Sequence, residues 1–209
     1  MIKLIYEDSN VVVCEKPVGI PSQSNGTNDM VKLLSEQCGC TIYPVHRLDT
    51  AVGGVMAFAK NRKSAADLSE QISEGAFVKR YLAVTDGVPA SQSGIYEDLM
   101  FKDSRNNKSF VVKRERKGVK KASLAYEVIA EAEGKALVKV RLFTGRTHQI
   151  RVQFASRKTP LTGDGKYGSK ANSCNIALWS YSVAFHCNGE GMCFQSEPDC
   201  VFPWNLFIK

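Results

Sequence analysis

HRLDTAVGG, residues 46–54, sets an arginine and an aspartate one leucine apart and then runs into two glycines. An aspartate followed by Gly-Gly can be a plain turn between strands, since both residue types tolerate turn geometry. An arginine beside an aspartate is, taken alone, most often a surface pair. The surrounding chain decides whether the stretch is more than that.

Upstream, residues 2–6 and 11–15 form two short apolar runs joined by the polar turn DSN, the pattern of a strand pair. KPVGIPSQSNGTN (16–28) follows as a loop, then DMVKLLSEQC (29–38), whose apolar positions 30, 33 and 34 fit a short helix capped by Asn28 or Asp29. Downstream, VMAFAK (55–60) reads as a strand after a short glycine-containing turn. Residues 64–75 put Ala65, Leu68 and Ile72 on one helical face, with Ser64 and Asp67 resembling a capping box and Gly75 as a stop. Strand patterns dominate again at 77–87, 123–131 and 135–143, with EAEG as a hairpin turn between the last two. THQIRVQFASR (147–157) suggests a helix entered at Thr147, with Ile150 and Phe154 inward and Arg151 and Gln153 off that face; GDGKYG (163–168) reads as a tight turn and YSVAFHC (181–187) as a further strand. The expected fold is α+β, a largely antiparallel mixed sheet flanked by helices. No repeat or linker divides it, so one domain over 1–209 is expected.

Charge is concentrated. The 209 residues carry 28 Lys and Arg against 21 Asp and Glu, a net +7. Residues 102–121 alone hold nine of those cations against Asp103 and Glu115, so the rest of the chain is neutral. Such a strip is the footprint of a polyanion binder, because each neutralised phosphate releases condensed counterions; a solvated hairpin or mobile loop is the plain alternative.

Seven scattered cysteines, behind no signal peptide, point to a reducing, cytoplasmic compartment. Neither Cys38, Cys40 and His46 nor His186, Cys187, Cys193 and Cys200 has the spacing of a zinc site, so no metal is expected. No stretch approaches the roughly 20 apolar residues of a membrane-spanning helix. Nothing requires more than a monomer.

Several motifs in order carry a resemblance. IYEDSNVVVCEKPVGIPSQ opens the chain; HRLD, a hydrophobic strand ending in AK, KRYLAV, GRTHQIRV and LTGDGKYG follow. In order and spacing the chain resembles the RluA-like family of RNA pseudouridine synthases over nearly its whole length. Because the resemblance begins within ten residues, the chain looks like a bare catalytic domain without the family's small N-terminal RNA-binding module. Val52, Gly53 and Gly54 stand where the family commonly has Thr-Ser-Gly, replacing a polar pair by an apolar and flexible one. Gln153 stands where many members have histidine.

The resemblance implies isomerisation of uridine to pseudouridine in rRNA or tRNA, without cofactor. The glycosidic bond to nitrogen breaks, the uracil turns while held, and carbon 5 is joined to the ribose. It assigns Asp49 as the nucleophile, Tyr81 as the ring facing the uracil, and Arg146 as the fixed cation that keeps a carboxylate ionised beside a stacked base. Arg47 is expected to fill the space left by an extruded nucleotide. Lys113, Arg114, Arg116, Lys117 and Arg151 are expected to contact RNA. Two other classes compete: an RNA-binding module without catalysis, and a glycosidase-like hydrolase. The latter needs a second carboxylate, and Asp164 is the only one in the other motifs.

Overall fold

A computed structural model of the chain describes residues 1–23 and 28–208. Ser24–Thr27, within the loop read at 16–28, lies outside the described residues. The fold is α+β, with mostly antiparallel strands and three α-helices among the described residues. Contacts divide the chain into two compact units: Met1–Arg80 with Trp179–Pro198, and Tyr81–Leu178 with Asp199–Lys209. Two of the three passages between the units, at 80–81 and 178–179, lie inside strands and leave no linker signal; the third is at 198–199.

In the first unit, β1 (Lys3–Glu7) pairs antiparallel with β2 (Val11–Lys16), and β2 with β4 (Gly53–Ala59). The two-residue β3 (Tyr43–Pro44) pairs with β4 on part of its length. β10 (Leu178–Cys187) runs parallel to β4 at Trp179 and Ser180 and takes β11 (Glu190–Gln195) antiparallel on its own. All seven residues of β4 are buried. That explains a continuous apolar run rather than an alternating one: one set, Val55, Ala57 and Ala59, joins Val11, Val13, Leu68 and Phe185 in a core, and the other points the opposite way. α1 (Met30–Cys38) starts at Asp29, whose side chain accepts from the Lys32 N–H, and ends at left-handed Gly39. α2 (Arg62–Glu74) starts two residues before the expected cap. Asn61, not Ser64, is the N-cap, its side chain accepting the Ser64 N–H, while Gly75 ends the helix as anticipated.

In the second unit the strand order is β5 (Val78–Asp86), β9 (Lys135–Leu142), β8 (Val119–Ala132), β6 (Ser93–Asp103), β7 (Lys108–Val112). Glu133 and Gly134, both at positive φ, form the two-residue turn between β8 and β9. One face of β6, β8 and β9 is buried against α3 (Gln149–Ala155): Tyr96, Tyr126 and Phe154 pack ring against ring with centroids 4.5–5.6 Å apart, and Met100, Ala122 and Val152 form a second cluster.

α3 corrects the helix expected at 147–157. It is seven residues long, its N-cap is His148 in the left-handed region rather than Thr147, and Gln149 to Phe154 are all buried. Arg151 and Gln153 therefore do not lie on an outer face: they are 6% and 0% exposed. Gln153 donates to the Tyr96 carbonyl and to Asp98, and Asp98 also takes a two-toothed contact from Arg157.

Candidate active site and RNA interface

The stretch 46–52 is held at alternate residues. His46 Nε2 accepts the Ala57 N–H at 3.1 Å, which puts the ring proton on Nδ1, and the ring packs 5.3 Å from Phe77. Burial, with Lys79 nearby, holds the imidazole down to about 3, so it stays neutral. Leu48 is buried, and Ser22 clamps its backbone from both sides, accepting from its N–H at 2.9 Å and donating to its carbonyl at 2.8 Å. The Thr50 carbonyl accepts the Gly19 N–H at 2.8 Å and the Lys16 ammonium at 3.4 Å. Between these anchors Arg47 is exposed and Asp49 half-buried. A turn does follow, closed by the Val52 N–H on the Asp49 carbonyl at 3.0 Å, but it centres on Thr50 and Ala51 rather than on the glycines.

Lys16 is the feature of this loop that sequence reasoning missed. Its side chain is wholly buried, its ammonium donates to the carbonyls of Pro17, Ile20 and Thr50, and the charge of Asp49 attracts it. Burial pushes it down to about 8 despite that attraction. The lysine thus ties the Pro17–Ile20 loop to the aspartate turn. Its signal in the sequence is the lysine of KPVG at the end of a buried strand.

Gly53 and Gly54 are not a flexible turn. Both lie in β4, and a Cβ on Gly53 would strike the Trp179 ring, one on Gly54 the Ser180 backbone. Gly54 also sits at φ 112°. Gly54→Ala is expected to cost on the order of 2–3 kcal/mol, lowering the melting temperature by roughly 5–10 °C; an unchanged melting temperature would mean the strands can part there without cost.

Tyr81 and Arg146 belong to the second unit. Tyr81, on β5, is 5% exposed. Arg146 is half-buried, its Nε donating to the Lys121 carbonyl at 2.9 Å. Gln149, buried at the head of α3, positions it: Gln149 Oε1 accepts the Arg146 N–H at 3.0 Å and the Thr144 hydroxyl at 2.7 Å, and its Nε2 donates to the Ser123 carbonyl. Gln149 thereby ties the segment before α3 to β8. It went unread because glutamine is an ordinary helix residue.

Arg151 departs from its expected role as an RNA contact. Its Nε and one terminal nitrogen hold the two oxygens of Asp164 at 2.7 and 2.9 Å, with side-chain exposures of 7% and 1%. The guanidinium lies 5.1 Å from the Tyr167 ring centroid. Asp164 is correspondingly ill placed as the second carboxylate of a hydrolase, because both of its oxygens are taken by the guanidinium.

Residues 102–121 form the end of β6, a turn, β7, an exposed loop and the start of β8. Lys113, Arg114, Arg116 and Lys117 are all exposed. The β6–β7 hairpin is fixed near its turn: the Tyr167 hydroxyl accepts the Ser109 N–H at 2.9 Å and bonds His148 Nδ1 at 2.8 Å, Ser109 Oγ donates to the Thr147 carbonyl, and Lys166 to that of Asn107. Among the described residues no three His, Cys, Asp or Glu side chains gather as metal ligands, and no helix is long and apolar enough to cross a membrane.

Residues 10–156 match the family model described as RNA pseudouridylate synthase. The chain belongs to the RluA-like RNA pseudouridine synthases. It is 35% identical over 189 residues to an uncharacterized RNA pseudouridine synthase of Zymomonas mobilis, covering 87% of this chain and 86% of that one. It is 30% identical to the ribosomal large subunit pseudouridine synthase D of the same organism (86% and 60% covered), and 31% to the mitochondrial tRNA pseudouridine(32) synthase of Saccharomyces cerevisiae (80% and 37%). The fold is that of two human proteins, RNA pseudouridylate synthase domain containing 4 and domain containing 1. Their TM-scores are 0.78 and 0.81, their identities 23% and 19%, and the shares covered 94% and 97% of this chain, 89% and 85% of theirs. This pseudouridine synthase is thus an isomerase that acts on RNA.

Proposed function

We propose that the chain converts particular uridines of structured rRNA or tRNA to pseudouridine with Asp49 as nucleophile and no cofactor. The observation that carries the reading is the alternate bracing of residues 46–50, which turns His46 and Leu48 inward and leaves Arg47 exposed and Asp49 half-exposed. In the proposed reaction the carboxylate displaces N1 from the ribose C1′, and the electron pair of the broken bond passes to the uracil. The base turns against the Tyr81 ring, C5 takes C1′ back from the carboxylate, and C5 then gives up its proton to solvent while N1 takes one up. Arg47 fills the place of the extruded nucleotide.

Arg146 is the proposed cation, held by Gln149 and the Lys121 carbonyl. A second reading gives that part to Arg151, because a buried guanidinium fixed by a carboxylate is better preorganised than a half-exposed one. The test is tritium release from RNA labelled at uridine C5, taken from cells lacking the protein, run with Asp49→Ala, Arg146→Ala and Arg151→Lys. Release must accompany isomerisation; free uracil in its place would indicate hydrolysis. No release from any RNA pool, with RNA binding intact, would favour a binding module.

The grip on RNA is assigned to the exposed loop 113–117. Changing Lys113, Arg114, Arg116 and Lys117 together to alanine is expected to weaken RNA binding and to flatten the plot of log affinity against log salt by about 2–3 in slope. An unchanged slope would remove the loop from the interface.

A further inference from the structure

The sheet face of the second unit opposite α3 is open, and its composition is unusual. In the register of β6, β7, β8 and β9, Phe110 stands beside Phe101, and Phe101 beside Val119. Two steps on, Val112, Leu99 and Lys121 share a row, and Ile95, Ala125 and Arg141 another. Between these two rows lie Glu97, Ser123 and Phe143, the Phe143 N–H bonded to the Ser123 carbonyl. Side chains on a strand alternate between faces, so these residues project together, away from the helix-covered side.

Among the described residues the rim of this face stays open. Phe110 is 42% exposed and Phe143 47%. Each aromatic carries a cation: Lys108 lies 5.7 Å from the Phe110 centroid, Arg116 4.8 Å from Phe101 and Arg141 5.3 Å from Phe143. An apolar face meant for a protein partner would be depleted of lysine at its centre. Rings interleaved with cations on an open antiparallel sheet instead suit unpaired bases, which stack on the rings while phosphates meet the charges. From β7 to β9 the face spans three strand spacings, roughly 14 Å, room for a few successive bases.

We propose that this face is a stacking platform for a single-stranded segment of the RNA, next to the phosphate-binding loop 113–117. The inference rests on the reading that the chain binds RNA and adds what that RNA must offer, unpaired bases. The test uses a labelled 12-nucleotide oligoadenylate and a duplex of equal length. Oligoadenylate contains no uridine, so its binding is independent of isomerisation, and tritium release reports on isomerisation separately. Phe110→Ser and Phe143→Ser remove exposed rings only. Each is expected to weaken oligoadenylate binding by roughly 5- to 100-fold with the salt slope and duplex binding unchanged, and Phe110→Tyr to retain it. Equal loss on duplex and single strand, or no loss on either, would overturn the platform, as would loss of self-association without loss of oligoadenylate binding.

Discussion

Asp49→Ala is expected to abolish tritium release while leaving the protein folded and RNA-binding. The loss should reach roughly four to six orders of magnitude, the scale on which removal of a covalent nucleophile is felt, since neither a bound water nor a neighbouring group restores the displaced bond. The fold should survive because the bonds that build the turn use other atoms: Ser22 on the Leu48 backbone, His46 on the Ala57 N–H, Lys16 and Gly19 on the Thr50 carbonyl. Asp49→Asn, which keeps the shape and loses the charge, should be as inactive. Release from either variant at the wild-type rate would take Asp49 out of the chemistry.

The largest loss of stability is expected from Asp164→Ala. It would take from the Arg151 guanidinium, 7% exposed, the carboxylate that grips it two-toothed, and breaking such a buried pair from one side costs about 3–5 kcal/mol. In a chain of this size that lowers the melting temperature by roughly 6–20 °C. Removing both charges, as Arg151→Met with Asp164→Leu, should recover part of the loss, because the desolvation penalty of two ions disappears with them. The exposed pair Lys3–Glu15, at 71% and 22%, is the control, and Glu15→Ala should change stability by less than about 1 kcal/mol. A loss from Asp164→Ala no larger than that would mean the pair is solvated.

What the sequence conceals in this protein follows from how each element is buried. α1 and α2 were legible because each has one apolar face and a glycine stop. β6 was not read, because apolar groups on both of its faces, Ile95, Leu99 and Phe101 on one and Tyr96 and Met100 on the other, erase the alternation of two. α3 was misread in length and facing because all its sides but the last residue are buried, so no stripe marks it. Asp49, Tyr81 and Arg146 are proposed on their motifs. Lys16, Ser22 and Gln149 were not read, since their work is to hold backbone atoms of residues distant in sequence, and no spacing rule encodes that.

The alternate bracing of residues 46–50 separates two kinds of tolerance to change. His46 and Leu48 are foundations: altering either shifts the whole turn. Arg47 stands between them exposed, and the backbone anchors on either side of it are made by other side chains. Exchange at position 47 therefore leaves those anchors in place, as a fitting is exchanged in its socket.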